Sequence, residues 1–277
     1  MFKKQLIMEN ALELFAENGI EATSIQQITE RCGISKGAFY LSFKSKNELV
    51  YNLIDYFMSE IISDIEQSVN TEQDDDEDLL YNFYYTTFNA HQRYSDFAKL
   101  FMKEQTTTFD LEILELIKKY DEFLASIIFS LVNHQFPETH ETMRADLIYS
   151  IKGFLKHYTE LFLISHFPIE LQALCRSLVE KTTILAVHAT LPIVTIEYLS
   201  CRNSECFSPT KKQLINLLSQ KIDVSTDSII QHSLELLKND LNEPQLHPAV
   251  IQGLLKNLKS NSHCKWAAYL YDLYLKK

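Results

Sequence analysis

Between Thr23 and Lys46 the sequence TSIQQITERCGISKGAFYLSFKSK sets hydroxyls, cations and small residues at helical spacing around Gly33. Such residue types in such an order suit contact with a polyanion that also presents readable edges. Lys36, Gly37, Ala38 and Leu41 fall on one face and toward the N-terminal half of a short helix, the part of a recognition helix that meets base edges. Gly37 and Ala38 are small enough to let that helix sit deep in a major groove. Tyr40 can offer its hydroxyl to a phosphate, and Lys46 supplies a positive charge at the start of the next helix. Thr23, Ser24 and Ser35, at two helix starts, complete the set of candidate DNA contacts.

Those side chains need two short helices held at a fixed angle. Thr23 or Ser24 can cap the first, which turns Ile25 and Ile28 inward and ends at Cys32-Gly33-Ile34. Gly33 lets the chain turn without a Cβ clash, and Ser35 caps the second helix, Lys36 to Phe43. Ile28, Ile34, Phe39 and Phe43 close a small core against an earlier helix that carries Leu6, Ile7, Ala11, Leu14 and Phe15 and stops at Asn18-Gly19. The result is a helix-turn-helix unit. A longer helix starts near Ser45, with Glu48 at the N3 position of a capping box.

The rest of the chain excludes several other chemistries. Its 277 residues suffice for about two domains and a sizeable core without disulfides or metals. The five glycines form neither a dinucleotide-binding nor a P-loop pattern, and there is no G-x-S-x-G, so no catalytic residue is named. Cys201-x₄-Cys206 with His263-Cys264 lacks the paired spacing of a zinc site, so no metal or other cofactor is expected. Five scattered cysteines and an amphipathic start bearing Lys3 and Lys4, in place of an apolar signal core, point to a reducing cytoplasm. The longest uncharged apolar stretch, Ile184 to Ile196, is too short to cross a bilayer.

Net charge is −11, unevenly spread. Residues 1–50 balance, with Arg31, Lys36, Lys44 and Lys46 opposed only by Glu30 within positions 24–47. Residues 51–203 carry a net −13, six of those acids in the run TEQDDDED at 71–78, which reads as a solvated loop or helix start. A small basic patch on an acidic protein confines the polyanion contact to the N-terminal head.

Helical periodicity continues beyond the head, and the expected class is all-α: a three-helix head at 1–47, a larger helical ligand-binding and dimerisation domain at 48–203, and additional helices at 204–277. An aromatic-rich pair of helices at about 79–109 is followed by long ones near 109–135, 139–167 and 169–200, with Pro192 expected to kink the last. Four shorter amphipathic segments lie near 209–222, 226–240, 247–259 and 262–275.

The stretch TSIQQITERCGISKGAFYLSFKSKNEL resembles the DNA-binding signature of the TetR family of bacterial transcription regulators. Thr23, Ile25, Ile28, Gly33, Ser35, Gly37, Tyr40, Phe43, Lys46 and Leu49 stand at matching positions, and LELFAENGIEATS is similar to the end of the family's first helix and its loop. Ser42 departs from the aromatic or histidine usual before the phenylalanine, and residues beyond about 203 exceed the family's usual length. The resemblance implies a homodimeric repressor on double-stranded operator DNA, released by a hydrophobic small-molecule effector. It implies an effector cavity between helices, with Tyr81, Tyr84, Tyr85, Phe88, Phe101 and Phe109 as candidate lining, although aromatics at this spacing more often serve a core. The acidic, aromatic character of residues 51–203 favours a neutral or cationic effector. The dimer seam is expected on the two long helices, among Leu147, Phe154, Leu155, Leu161, Phe162, Leu178, Ile184 and Leu185. A second reading makes the chain a helical adaptor whose C-terminal region binds a protein partner, with DNA contact secondary.

Overall fold

The computed structural model describes residues 2–70, 79–104, 111–164, 169–194, 209–223, 225–261 and 263–275. Among these residues the chain is all-helical, with no strand. The head comprises α1 (Phe2–Asn18), α2 (Ile25–Arg31) and α3 (Lys36–Tyr40). The body comprises α4 (Lys46–Asn70), α5 (Leu79–Arg93), α6 (Ser95–Glu104), α7 (Leu111–Gln135), α8 (Glu141–Ile164) and α9 (Leu171–His188). A C-terminal layer follows, made of α10 (Lys211–Ile222), α11 (Ser228–Asn242), α12 (Pro248–Lys259) and α13 (Lys265–Leu275). The acidic run at 71–78 and the stretch 195–208 lie outside the described residues.

Local chemistry explains most boundaries. Ser24 and Gln27 form a reciprocal capping box at α2, and Thr210 and Gln213 form another at α10. Asp227 caps α11 with two accepted N–H bonds, and Pro248 opens α12 at a position where its missing N–H costs nothing. At α4, Ser45 accepts from the Glu48 amide at 3.0 Å, while the Glu48 carboxylate returns one residue further back, to the Lys44 amide.

Helix α9 differs from expectation. It ends at His188 and does not continue through a kink at Pro192. The ring removes an N–H donor and drives Leu191 out of helical space, so the backbone leaves as extended chain. Asp146 of α8 then accepts from the amides of Ile193 and Val194, each at 2.9 Å, in place of the lost helical carbonyls.

Helix α4 organises the packing. Leu49, Val50, Leu53 and Ile54 meet the head and α6, and residues 59–63 are buried in succession, more than one full turn. A helix without a solvent face belongs to an interior. α5 and α7 cover it on the body side, and α13 lies against it from the C-terminal layer. Asp64 of α4 pairs with Arg93 of α5 and with Lys265 of α13, the latter at 2.9 Å. Beside that link, Trp266 of α13 packs on Tyr120 and Phe123 of α7, at ring separations of 5.4 and 5.0 Å. The half-buried Lys119 ammonium lies over the same rings, its pKa lowered by burial against the opposing pull of Asp55.

The C-terminal layer is thus continuous with the body core. Trp266→Ala should lower unfolding stability by about 3–5 kcal/mol, the cost of a large core truncation. Urea denaturation followed by far-UV circular dichroism is expected to show one shifted transition. An unshifted main transition with early loss of the last four helices would make the layer a separate unit.

Candidate nucleic-acid interface

The head is built around Phe39 and Phe43, both fully buried, with Ile28 and the α1 residues Ile7, Ala11 and Phe15. Gly33, at φ +65°, takes the left-handed turn between α2 and α3. Ser35 caps α3 by accepting from the Ala38 amide at 3.2 Å. With Phe39 and Phe43 turned inward, Lys36, Gly37, Tyr40 and Leu41 are left on the outside, and Ala38 is half-buried. Tyr40 is 52% exposed and Leu41 91% exposed. Ser24 and Ser35 are exposed as well, their hydroxyls already engaged in capping. The sequence's candidate reading face is therefore brought together on α3.

Two candidates are placed otherwise. Thr23 is fully buried, and its hydroxyl donates to the carbonyl of Gly19 at 2.8 Å, so its side chain fastens the α1–α2 turn and cannot reach DNA. Lys46 is folded back on the same turn. Its ammonium donates to the carbonyls of Ile20 at 2.9 Å, Thr23 at 3.2 Å and Glu21 at 3.3 Å. An ammonium has three donors and no acceptor, and here all three are directed at main-chain oxygens. The expected free phosphate cation is instead a clamp joining α4 to the head. Arg31 likewise faces Glu13 at 2.8 Å and Glu17 at 3.2 Å.

The positive charge left outward is smaller than the basic patch expected, and it centres on Lys36 and Lys44. Sequence reading missed Lys4, whose ammonium sits 5.3 Å from the centre of the Phe43 ring, beside the end of α3. The signal lay in a helix-face argument: Lys4 is on the turn of α1 preceding Ile7, which packs into the same core.

The aromatic candidates of the body are core residues in this structure. Tyr84 and Phe88 are fully buried and stacked, and Tyr84 shares a 2.7 Å hydroxyl hydrogen bond with Thr182 of α9. Tyr81 and Tyr85 stack on each other, half-buried. Phe101 joins Phe15, Ile20, Val50, Leu53, Ile54, Phe97 and Leu100 around a void of about 10 Å³ where α1, α4 and α6 meet. That is the lower limit for one water molecule. Phe109 lies outside the described residues.

A capped, glycine-turned helix pair with an outward second helix, mounted on an all-helical body, defines a helix-turn-helix DNA-binding regulator. Residues 7–52 match the family model for bacterial regulatory proteins of the tetR family. The family match thus covers the DNA-binding head, and the function these findings support is that of a DNA-binding transcriptional regulator. Two Bacillus subtilis proteins are similar over nearly the whole length. The uncharacterized HTH-type transcriptional regulator YuxN is 24% identical over 267 residues, covering 92% of this chain and 91% of its own. The uncharacterized HTH-type transcriptional regulator YerO is 26% identical over 273 residues, covering 92% and 89%. Among solved structures, the transcriptional regulator FadR of Bacillus subtilis in complex with stearoyl-CoA aligns with a TM-score of 0.56 at 20% identity, covering 67% of this chain and 99% of that one. About a third of this chain thus has no counterpart in that fold.

The relatives are regulators and not enzymes. Among the described residues there is no group of three or more His, Cys, Asp or Glu able to hold a metal, and no helix long and apolar enough to cross a membrane. Cys201 and Cys206 lie outside the described residues.

The placement of Lys46 gives a prediction. Lys46→Ala should reduce stability by about 1–3 kcal/mol through loss of charge-assisted bonds to the turn. The slope of log operator affinity against log salt should stay unchanged, since no phosphate contact is removed. A slope reduced by roughly one unit per protomer, at unaltered melting temperature, would return Lys46 to the DNA.

Proposed function

We propose that the protein is a cytoplasmic homodimeric repressor that grips operator DNA through its two α3 helices and leaves it on binding a hydrophobic small molecule. The single observation that carries the DNA reading is the outward face of α3, where Lys36, Gly37, Tyr40 and Leu41 face away from a complete core. Ser24, Ser35 and Ala38 flank that face, while Thr23 and Lys46 hold it in place from inside. In a dimer the two α3 helices must stand about 34–36 Å apart, or a multiple of that, to enter successive major grooves on one side of B-DNA.

Outward apolar side chains on the two long body helices support dimerisation there. Tyr149 and Leu161 of α8 and Ile184 and Val187 of α9 are 42–64% exposed. Leu147, Leu155 and Leu178, expected in the seam, are buried within the protomer, and Phe154 and Leu185 are half-buried against its core. The side chain of Phe162 lies outside the described residues. Regulatory dimers of this kind bury apolar helix faces against their copies.

The effector reading is supported by the aromatic-rich packing of α5 and α6 and by the likeness to a regulator that holds stearoyl-CoA. Because Tyr84, Phe88 and Phe101 pack closely, a ligand has to open space by repacking them, and the tilt of α4 carries that change to the head. The negative charge of the body favours a neutral or cationic amphiphile.

Gel shifts with the DNA upstream of the protein's own gene test the function. A salt-sensitive, sequence-selective complex is expected, and binding without sequence preference would overturn the reading. For the dimer, Ile184→Glu should yield monomer mass in light scattering and lower operator affinity by roughly a hundredfold through lost bivalency. A stable, DNA-competent dimer would place the interface elsewhere. For the effector, release from operator should follow a neutral C18 alcohol or a C18 quaternary amine. Selective release by stearoyl-CoA would overturn the charge argument while leaving a long apolar chain as the ligand.

A further inference from the structure

Leu41 is the most exposed of the large apolar side chains among the described residues, at 91%. Its backbone is still helical, at φ −71° and ψ −23°, so it extends the face begun by Gly37 four residues earlier and Ala38 three earlier. No interior requirement accounts for these residue types. A Cβ added at Gly37 would meet only the Ser35 hydroxyl, at an ordinary 3.8 Å, so the fold itself has room for a side chain there. A bare glycine in a helix and a leucine in water are both unfavourable for the isolated protein. Both stand on one stripe of the helix that the DNA reading turns outward.

That stripe contains no side-chain donor or acceptor. It cannot read a base by hydrogen bonds in the manner of Arg, Lys, Asn or Gln. The one apolar feature that distinguishes base pairs in the major groove is the C5-methyl of thymine. We propose that Leu41 is a specificity-determining residue that packs on a thymine methyl in each operator half-site, with Gly37 and Ala38 letting the helix come close enough. Lys36 and Tyr40, on the adjoining stripe, supply polar contacts that do not carry this discrimination. The proposal rests on the DNA-binding reading and names the chemical group that reading leaves open.

The test starts from duplexes enriched by the full-length protein from a random pool. Each half-site of the enriched set should share a thymine, and its absence would overturn the proposal. Deoxyuridine is then substituted for that thymine, which removes the methyl and leaves every hydrogen-bonding edge intact. Wild-type affinity should fall about fourfold for each methyl removed, the equivalent of about 0.8 kcal/mol. Leu41→Ala, checked for an unchanged melting temperature, should bind thymine and deoxyuridine duplexes equally. Gly37→Ala should weaken both while leaving the melting temperature unimpaired. Equal wild-type affinity for the two duplexes, or discrimination that survives Leu41→Ala, would overturn the proposal while leaving DNA binding intact. Failure to enrich any sequence would instead strike at the DNA-binding reading itself.

Discussion

The burial of α4 on every side through its middle is the constraint on which the rest of the structure depends. Residues 59–63 have no solvent face, yet two are serines and one is a glutamate. Ser63 donates to the Ser59 carbonyl at 2.6 Å, and Ser59 donates to that of Tyr56 at 2.8 Å, so the hydroxyls are satisfied within the helix. Burial raises the Glu60 pKa, against the opposing pull of Lys221, Lys265 and Arg93 on three other helices. Asp55 accepts from the Tyr120 hydroxyl at 2.7 Å. A helix whose polar groups are matched this way to α5, α7, α10 and α13 does not tilt freely. It moves by exchanging one packed arrangement for another.

The head shows the same economy on a smaller scale. Thr23, Lys46 and Gly19 form a knot of hydrogen bonds where α1, α2 and α4 converge. This is why the head and α4 form a single lever, with α4 unbroken across the boundary expected at residues 47 and 48. Side chains left facing outward are then the ones the knot does not use. They form a compact set on α3, more apolar than the cation count of the sequence suggests, because Arg31 is matched by Glu13 and Glu17.

Much of this was legible in the sequence, and the parts that were not share one physical cause. Helix starts and stops are encoded locally by Ser24, Ser35, Asp227 and Gly33, and the four C-terminal helices lie close to where periodicity puts them. The outward face of α3 follows from the spacing of Phe39 and Phe43, both buried. A threonine before a helix and a lysine at a helix start look the same in sequence whether they meet phosphate or carbonyl, and here Thr23 and Lys46 meet carbonyls. Their partners are set by a turn more than twenty residues away from Lys46. Leu147, Leu155 and Leu178 failed as seam residues for a related reason: periodicity finds an apolar face but not which neighbour covers it. Pro192 was noticed, yet its effect depended on Asp146 standing ready to accept the freed amides.

The C-terminal layer changes what regulation has to accomplish. In a two-part regulator the effector domain alone opposes the head through α4. Here α13 adds an ion pair at Asp64 and an aromatic contact at Tyr120 and Phe123, all on or beside α4. Each of these contacts favours one placement of α4 over another. An effector shifts the balance only by its differential affinity for the two placements, so added bracing raises the affinity difference that release demands. The same bracing limits the ways in which α4 can sit against the body. A layer packed so deeply into the core is part of the body that holds α4, and its buried contacts do not mark it as an arm held out for a protein partner.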